Sequence, residues 1–428
     1  MGDLRWLKPG MRFKRWIFLI FVGALMAAFG VQMAFGPALN SIWTGLYLLW
    51  SRVGALLDMT PNNISWFLGV IVFVLGVFVL VYGIRRLLRS VSEVLFSGKN
   101  GEFIDYYLTQ RELSQGPKVV VIGGGTGLST LLRGLKEYTS NITAIVTVAD
   151  NGGSSGRLRN ELGTLPPGDI RSCLVALADA EPLMKKLFQY RFGPQLAGLE
   201  GHSFGNIFIA TMSEITGDFE AAVRESSRVL AVRGQVLPST LEDVSLVAHF
   251  TDGTSVEGES EIPLARKTIS RIELKPAGVS PPAEAVEAIK EADLIVLGPG
   301  SLYTSVVPNI LVPEIRRAIT TARAPVVYVC NIMTQPGETD GYSVLDHLDG
   351  LSAHLGKGVV DYVVANQSEF PPEVIEKYAA EGAEPVRLDD NLAARRDVTV
   401  LTGNFAQVNE HVRHSPLDLA GFLLNLLQ

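Results

Sequence analysis

A run of glycines, Gly123-Gly124-Gly125-Thr126-Gly127, lies between an apolar, β-branched stretch at residues 118–122 and a stretch where Leu128, Leu131, Leu132 and Leu135 recur at helical spacing. In that setting glycines let the backbone approach a phosphate, and the start of the following helix offers oriented N–H groups and a favourable dipole. The dinucleotide fingerprint GxGxxG is not met: counted from Gly125 the third glycine falls at Thr130, and counted from Gly123 it falls at Leu128. Asp150 nevertheless stands at the end of the next apolar run, where a ribose-binding carboxylate is expected. A nicotinamide-dependent oxidoreductase is therefore one reading, and a plain tight turn is another.

Asp150 also opens a second loop, Asp150-Asn151-Gly152-Gly153-Ser154-Ser155-Gly156-Arg157, which a dinucleotide fold does not need. Further on, Asp169 in Leu165-Pro-Pro-Gly-Asp169-Ile-Arg171 stands where it could cap a helix. Two carboxylates near a diphosphate repel each other and the ligand unless a cation intervenes. Asp150 and Asp169 are accordingly expected to hold magnesium and are the candidate catalytic carboxylates. Asn206 precedes a helix and could cap it or bond a base or sugar. Gly300 and Ser301 follow an apolar run, as does Asn331, and both loops extend the polar, glycine-rich set. Arg413, before the last amphipathic stretch, could meet a diphosphate or lie in solvent. No GxSxG, HExxH or Walker A run is present, and the histidines lack metal-ligand spacing.

These loops need elements to carry them. Apolar runs without alternation at residues 118–122, 142–148, 294–297, 326–330, 362–365 and 398–401 read as strands buried on both faces. Helical patterns at 170–179, 207–215, 219–230, 282–292 and 416–427 alternate with them. Alternation of this kind predicts an α/β fold, a Rossmann-like, doubly wound, mostly parallel sheet over residues 117–428. Residues 244–250, a turn at Asp252-Gly253, and the chain from Ser255 predict an inserted β-hairpin.

The first hundred residues differ in kind. Residues 16–35 and 64–84 carry no charge and each is long enough to cross a hydrocarbon core ~30 Å thick, so 1–89 is expected to form a transmembrane hairpin. A cleaved signal peptide is the competing account of the first run, disfavoured by its length and by the second run. Arg5, Lys8, Arg12, Lys14 and Arg15 precede the first span and Arg85, Arg86 and Arg89 follow the second, which places both termini and the large domain inside the cell. Residues 41–57, with Arg52 and several aromatics, read as an interfacial helix, and 90–116 as a linker or short juxtamembrane helix. The net charge of −7 argues against nucleic acid as a partner, and two distant cysteines, Cys173 and Cys330, give no disulfide framework.

Taken in order, VVVIGGGTGLSTLLRGLK, VADNGGSSGRLR, LPPGDIR, HSFGNIFIATM, LGPGSLYTSVVPN and VCNIMTQPGETDGYSVLDHL resemble the gluconeogenesis factor (YvcK-like) branch of the 2-phospho-L-lactate transferase (CofD-like) family. That resemblance implies a UDP-sugar or another nucleoside diphosphate as ligand, UDP-N-acetylglucosamine being the one to test, and a regulator tied to cell shape, envelope synthesis and gluconeogenic growth. The transferase branch instead moves a phospholactyl group from a nucleoside diphosphate donor to a deazaflavin, with a divalent metal; here the regulator branch's NGGSSGR replaces its more acidic loop. By position, Gly124, Gly125, Thr126 and Gly127 would face phosphate, and Asp150, Asn151, Gly153 and Ser154 would frame the cleft. Asn206, Gly300, Ser301 and Asn331 would surround the nucleotide, with Arg413 before the final helix. The partners this implies are the nucleotide-sugar, the lipid bilayer, an envelope-synthesis protein and a second copy of the chain. The departure from the family is the N-terminal hairpin.

Overall fold

The computed structural model describes residues 14–35, 61–95, 102–180, 182–196, 198–389 and 398–427, and the chain divides into two compact units, 1–109 and 110–428.

In the first unit, helices Lys14–Phe35 and Pro61–Leu95 pack side by side. Each contains a stretch long and apolar enough to cross a membrane, Arg15–Ala34 and Trp66–Ser90, and most of both stretches is exposed, unlike the core helix of a soluble domain. Glycines at seven-residue spacing make the close packing possible. A Cβ at Gly23 would sit 2.5 Å from the Leu80 backbone nitrogen, one at Gly69 would meet Ala34, and one at Gly76 would meet Ala27. Arg86 lies over the rings of Trp16 and Tyr82, each 5.5 Å from its centroid, and joins the two helices at one end. The second helix runs on to Leu95, and Glu102–Ser114 is also helical, so part of the expected linker is regular structure. The interfacial helix expected at 41–57 lies outside the described residues.

The second unit is built on strands β1 (Val119–Gly123), β2 (Ile142–Val146), β3 (Gln235–Pro238), β7 (Leu294–Leu297), β8 (Val326–Val329), β9 (Tyr362–Asn366) and β10 (Thr399–Gly403). They form one sheet in the order β10-β9-β8-β7-β1-β2-β3, and every pairing is parallel. β1, β2, β7 and β8 are buried along their whole length, which is why they read as unbroken apolar runs. From β1 the chain winds outward through β2 to β3, returns to the other side of β1 as β7, and winds outward again to β10. The winding sense reverses between β1 and β7, and outside the C-terminal ends of those two strands an open α/β sheet has its ligand crevice.

Between β3 and β7 the chain leaves the sheet. The insertion contains the expected hairpin, β4 (Ser245–Phe250) with β5 (Ser255–Glu257), and a third strand, β6 (Ile269–Lys275), extends it to an antiparallel sheet in the order β5-β4-β6. β5 is too short to cover β4, so β6 supplies the main pairing. A further ribbon, β11 (Ala406–Val408) with β12 (Val412–His414), precedes the last helix, Pro416–Asn425. That helix lies against helix Gly125–Leu135, where Gly134 meets the Pro416 backbone with no room for a Cβ.

Candidate functional site

Because the sheet is parallel throughout, the loops after β1, β2, β7, β8 and β9 all emerge on one edge. At the switch point the loops after β1 and β7 interlock. A Cβ on Gly127 would fall 2.6 Å from the Pro299 carbonyl oxygen, and one on Gly300 would fall 3.2 Å from that of Gly124. A cavity of about 330 Å³ opens above them, lined by Gly124, Gly125, Thr126, Gly127, Gly300, Ser301, Asn331 and Arg413 from the expected set. Ser305 and His414, beside the expected residues in their loops, line it too, as do Gln335, Tyr378 and His411, which sequence reasoning did not single out. Asn331 donates to Gln335 Oε1 (3.2 Å), and Gln335 Nε2 donates to Ser301 Oγ, which ties the loop after β8 to the loop after β7.

Gly125 has φ +66°, the left-handed region that favours glycine, and its N–H donates to the Asp169 carboxylate. Gly124 is glycine because a Cβ there would lie 2.5 Å from Asp169 Oδ2. Asp169 is therefore not a helix cap, the alternative its position left open: helix Gly168–Leu177 is preceded by Pro167, with no capping side chain, and Asp169 faces the first glycine loop instead. Helices Gly125–Leu135 and Gly153–Leu162 also start without a capping side chain, and of the three it is the start of Gly125–Leu135 that opens on the cavity, a setting suited to an anion.

Asp150 Oδ1 accepts from Gly152 N–H (2.8 Å), and its other oxygen lies near Gly168, beside Asp169. Burial, then the Asp150 charge, raises the Asp169 carboxyl to about 6. Two further carboxyls, neither evident from the sequence, share this field. Glu259, from the turn after β5, is raised to about 8 by burial and by Asp150, Glu338 and Asp169. Glu338, from the loop after β8, is raised to about 7 by burial, against hydrogen bonds from Thr304 Oγ1 (3.2 Å) and from backbone N–H groups. The signals were an acidic residue inside TQPGETDG and another inside an insertion with no motif of its own. Among the described residues no group of three or more acidic, His or Cys side chains is arranged to hold a metal ion. A cation held by Asp150 and Asp169 would draw its remaining ligands from phosphate oxygens and water, as magnesium commonly does.

The other expected residues are placed apart from the cavity. Residues 153–162 form a helix rather than the tip of a flexible loop, and a Cβ on Gly153 would meet nothing beyond its chain neighbours and its own helix. Asn151 Oδ1 accepts from Ser260 N–H (2.9 Å) and pins the loop to the inserted sheet. Asn206 neither caps its helix, a task performed by Ser203, nor lines the cavity. It donates to Ser154 Oγ (3.1 Å), which in turn lies 3.0 Å from His202 Nδ1, and all three side chains are buried. On the far side, Arg413 is exposed on β12, while burial lowers His414 to about 4 and leaves it neutral. Of that pair, only Arg413 offers a positive charge to a ligand at neutral pH.

Residues 119–406 match the family described as 2-phospho-L-lactate transferase CofD. The chain belongs to that family. Within it the chain falls among the gluconeogenesis factors. It is 49% identical over 317 residues to the gluconeogenesis factor of Bacillus subtilis, covering 74% of this chain and 100% of the relative. It is 50% identical over 425 residues to a Nostoc protein named "Putative gluconeogenesis factor", covering 98% of this chain and 91% of the relative. A crystal structure of a Bacillus halodurans protein superposes with a TM-score of 0.70 at 50% identity, covering 72% of this chain and 100% of that one. The Nostoc alignment takes in the N-terminal unit, whereas the B. subtilis relative spans only the length of the sheet domain. The N-terminal extension thus recurs within the family, although some members do without it.

Proposed function

We propose that this chain is a membrane-tethered, cytoplasm-facing gluconeogenesis factor that binds a UDP-sugar at the switch point and regulates cell shape, envelope synthesis and gluconeogenic growth. The observation that carries the reading is the cavity between the loops after β1 and β7, floored by glycines and edged by Arg413. A diphosphate there would meet the N-terminus of helix Gly125–Leu135 and the Arg413 guanidinium, and Asp150 and Asp169, behind the first glycine loop, would hold a magnesium ion against it. The tether rests on the two apolar helices and on the basic residues that flank them.

Calorimetry with UDP-N-acetylglucosamine, GDP and NAD, each with magnesium and with chelator, tests the reading. UDP-N-acetylglucosamine is expected to bind best and to lose affinity with chelator. Arg413→Ala is expected to cost about 1.5–3 kcal/mol of binding free energy. Preference for NAD, or an unchanged affinity in Arg413→Ala, would overturn it.

The carboxyl cluster favours a second reading. Glu259 and Glu338 share the field of Asp150 and Asp169, with their pKa values raised to about 8 and about 7, near neutrality, where a proton acceptor for an attacking hydroxyl works best. A phospholactyl transferase would use such a group against a deazaflavin alcohol. Product formation from a lactyl-diphosphonucleoside donor and a deazaflavin acceptor, lost in Glu259→Gln, is the result that would favour this reading over the sensor.

A further inference from the structure

The residues around the cavity fall into two chemical groups. The loops after β1 and β7 contribute the glycines and Ser301, edged by Arg413. The loop after β8 and the segments beside it contribute Ile332 and Met333, both buried, and Tyr378. The strand order β8-β7-β1 sets the loop after β8 two strand spacings from the loop after β1, roughly 10 Å. Toward β2 the edge instead carries Asp150, with Asp169 beside it, a pair of carboxylates that suits a cation better than a base. Tyr378 stands on helix Pro372–Glu381, none of whose residues is fully buried, and reaches the ribbon, where the Val412 N–H donates to its hydroxyl at 2.8 Å. Tied at that oxygen, the half-buried ring is held in the cavity wall with its polar tip satisfied. What it still offers a ligand is a flat apolar face.

We propose that Tyr378 is the stacking platform for the base of a nucleoside diphosphate whose phosphates lie on the glycine loops, so that the nucleotide runs along the sheet edge with its base over β8. Stacking on an aromatic ring accepts every base. Tyr378 therefore selects a nucleotide over a bare diphosphate and leaves the choice of base to hydrogen-bonding groups. A purely structural role, fastening helix Pro372–Glu381 to the ribbon, makes the hydroxyl the atom that matters, because the hydroxyl is what Val412 holds. The stacking role makes it the ring. Phenylalanine and leucine at this position both lack the hydroxyl and differ in the ring, so the pair separates the two roles. The inference rests on the reading of the cavity as a nucleoside diphosphate site, and not on the base being uracil.

The experiment is calorimetry on the full chain in detergent with magnesium, comparing the unmodified protein with Tyr378→Phe, Tyr378→Leu and Arg413→Ala. The probes are UDP-N-acetylglucosamine, GDP and inorganic pyrophosphate. Tyr378→Leu is expected to weaken the preferred nucleotide about fivefold or more, and to weaken it far more than pyrophosphate. Tyr378→Phe is expected to keep the nucleotide affinity, and Arg413→Ala to weaken nucleotide and pyrophosphate alike. Nucleotide affinity retained in Tyr378→Leu, or lost equally in Tyr378→Phe, overturns the platform, as does a loss in Tyr378→Leu that pyrophosphate shares in full. The outcomes also separate this inference from the reading it rests on. A chain that prefers GDP and loses it in Tyr378→Leu ends the UDP-sugar reading and keeps the platform. A chain that binds UDP-N-acetylglucosamine and loses it in Arg413→Ala, with Tyr378→Leu unaffected, keeps the reading and ends the platform. Binding of neither nucleotide ends both.

Discussion

At Gly125 backbone conformation and site geometry make the same demand. Its φ of +66° favours glycine, its N–H is committed to Asp169, and the direction of a Cβ is open toward Ser305 Oγ at 3.7 Å. Gly125→Ala is therefore expected to cost about 1–2 kcal/mol of stability from left-handed backbone alone, and to loosen the Asp169 contact. Urea unfolding and ligand titration on the same variant check both effects, and full stability would show that the loop adapts. The carboxyl cluster gives a second prediction at this scale. Glu259, Glu338 and Asp169 are held above their ordinary values, from 4.5 to about 8, from 4.5 to about 7 and from 3.8 to about 6. Between about 4 and about 8 the folded domain thus binds more protons than the unfolded chain, so these groups contribute stability at low pH that is lost as pH rises. The melting temperature of residues 110–428 without ligand should fall across that window, relative to Glu259→Gln, whose slope should be flatter. Magnesium with a nucleoside diphosphate should offset the loss at the upper end, because a cation favours the ionised carboxylates. Parallel slopes for the two proteins would remove Glu259 from the cluster.

Among the elements, what could be read in advance follows from how each is buried. β1, β2, β7, β8 and β9 lie within a sheet covered on both faces, and an unbroken apolar run is the mark such a strand leaves. β3 left none: four residues that begin at an exposed glutamine and end at a proline, at the sheet's edge, resemble a loop. β6 carries charged residues between its inward-facing ones, as a strand open to water on one side does, and its partner β4 was assigned to β5 alone. The stretch Gly153–Leu162 was read as loop because its buried face consists largely of Ser154, Ser155 and Gly156, not large apolar residues. Gly156 is a glycine because a Cβ would strike the Asn151 backbone, a reason visible only once the loop has folded over the helix. The glycine loops themselves were legible, since a glycine run between a strand and a helix has few other uses. Helix packing supplies a prediction of its own. Helix Gly125–Leu135 touches the last helix through Gly134, and a Cβ there would overlap the Pro416 carbonyl. Gly134→Ala should therefore destabilise by about 1–3 kcal/mol or more despite alanine's better helix propensity. Gly152→Ala, whose Cβ would find no atom closer than 3.5 Å, is the matched control and should be near neutral.

For the molecule as a whole the question is whether the hairpin is an anchor or part of the binding machinery. The sheet domain carries its own core, from Val119 on β1 to Leu423 on the last helix, and the B. subtilis relative covers 74% of this chain with no residues left over for a hairpin. A domain that needed the hairpin to fold could not have such a relative. Residues 110–428 are accordingly expected to be soluble, to melt within a degree or two of the full chain in detergent, and to bind the same nucleotide with the same affinity. The hairpin has its own requirement, the close approach of its helices along Gly23, Gly30, Gly69 and Gly76, where a Cβ would run into the facing backbone. Gly76→Leu should then spread the helices and lower the yield of full chain in the membrane fraction, without changing the ligand affinity of the chain recovered. Reporters complete the test, because two spans flanked by basic residues predict residue 57 outside the cell and residue 428 inside. A reporter that reads inside at both positions would mean the helices do not cross. An isolated domain that aggregates or loses its ligand would mean that the first hundred residues do more than hold the rest in place.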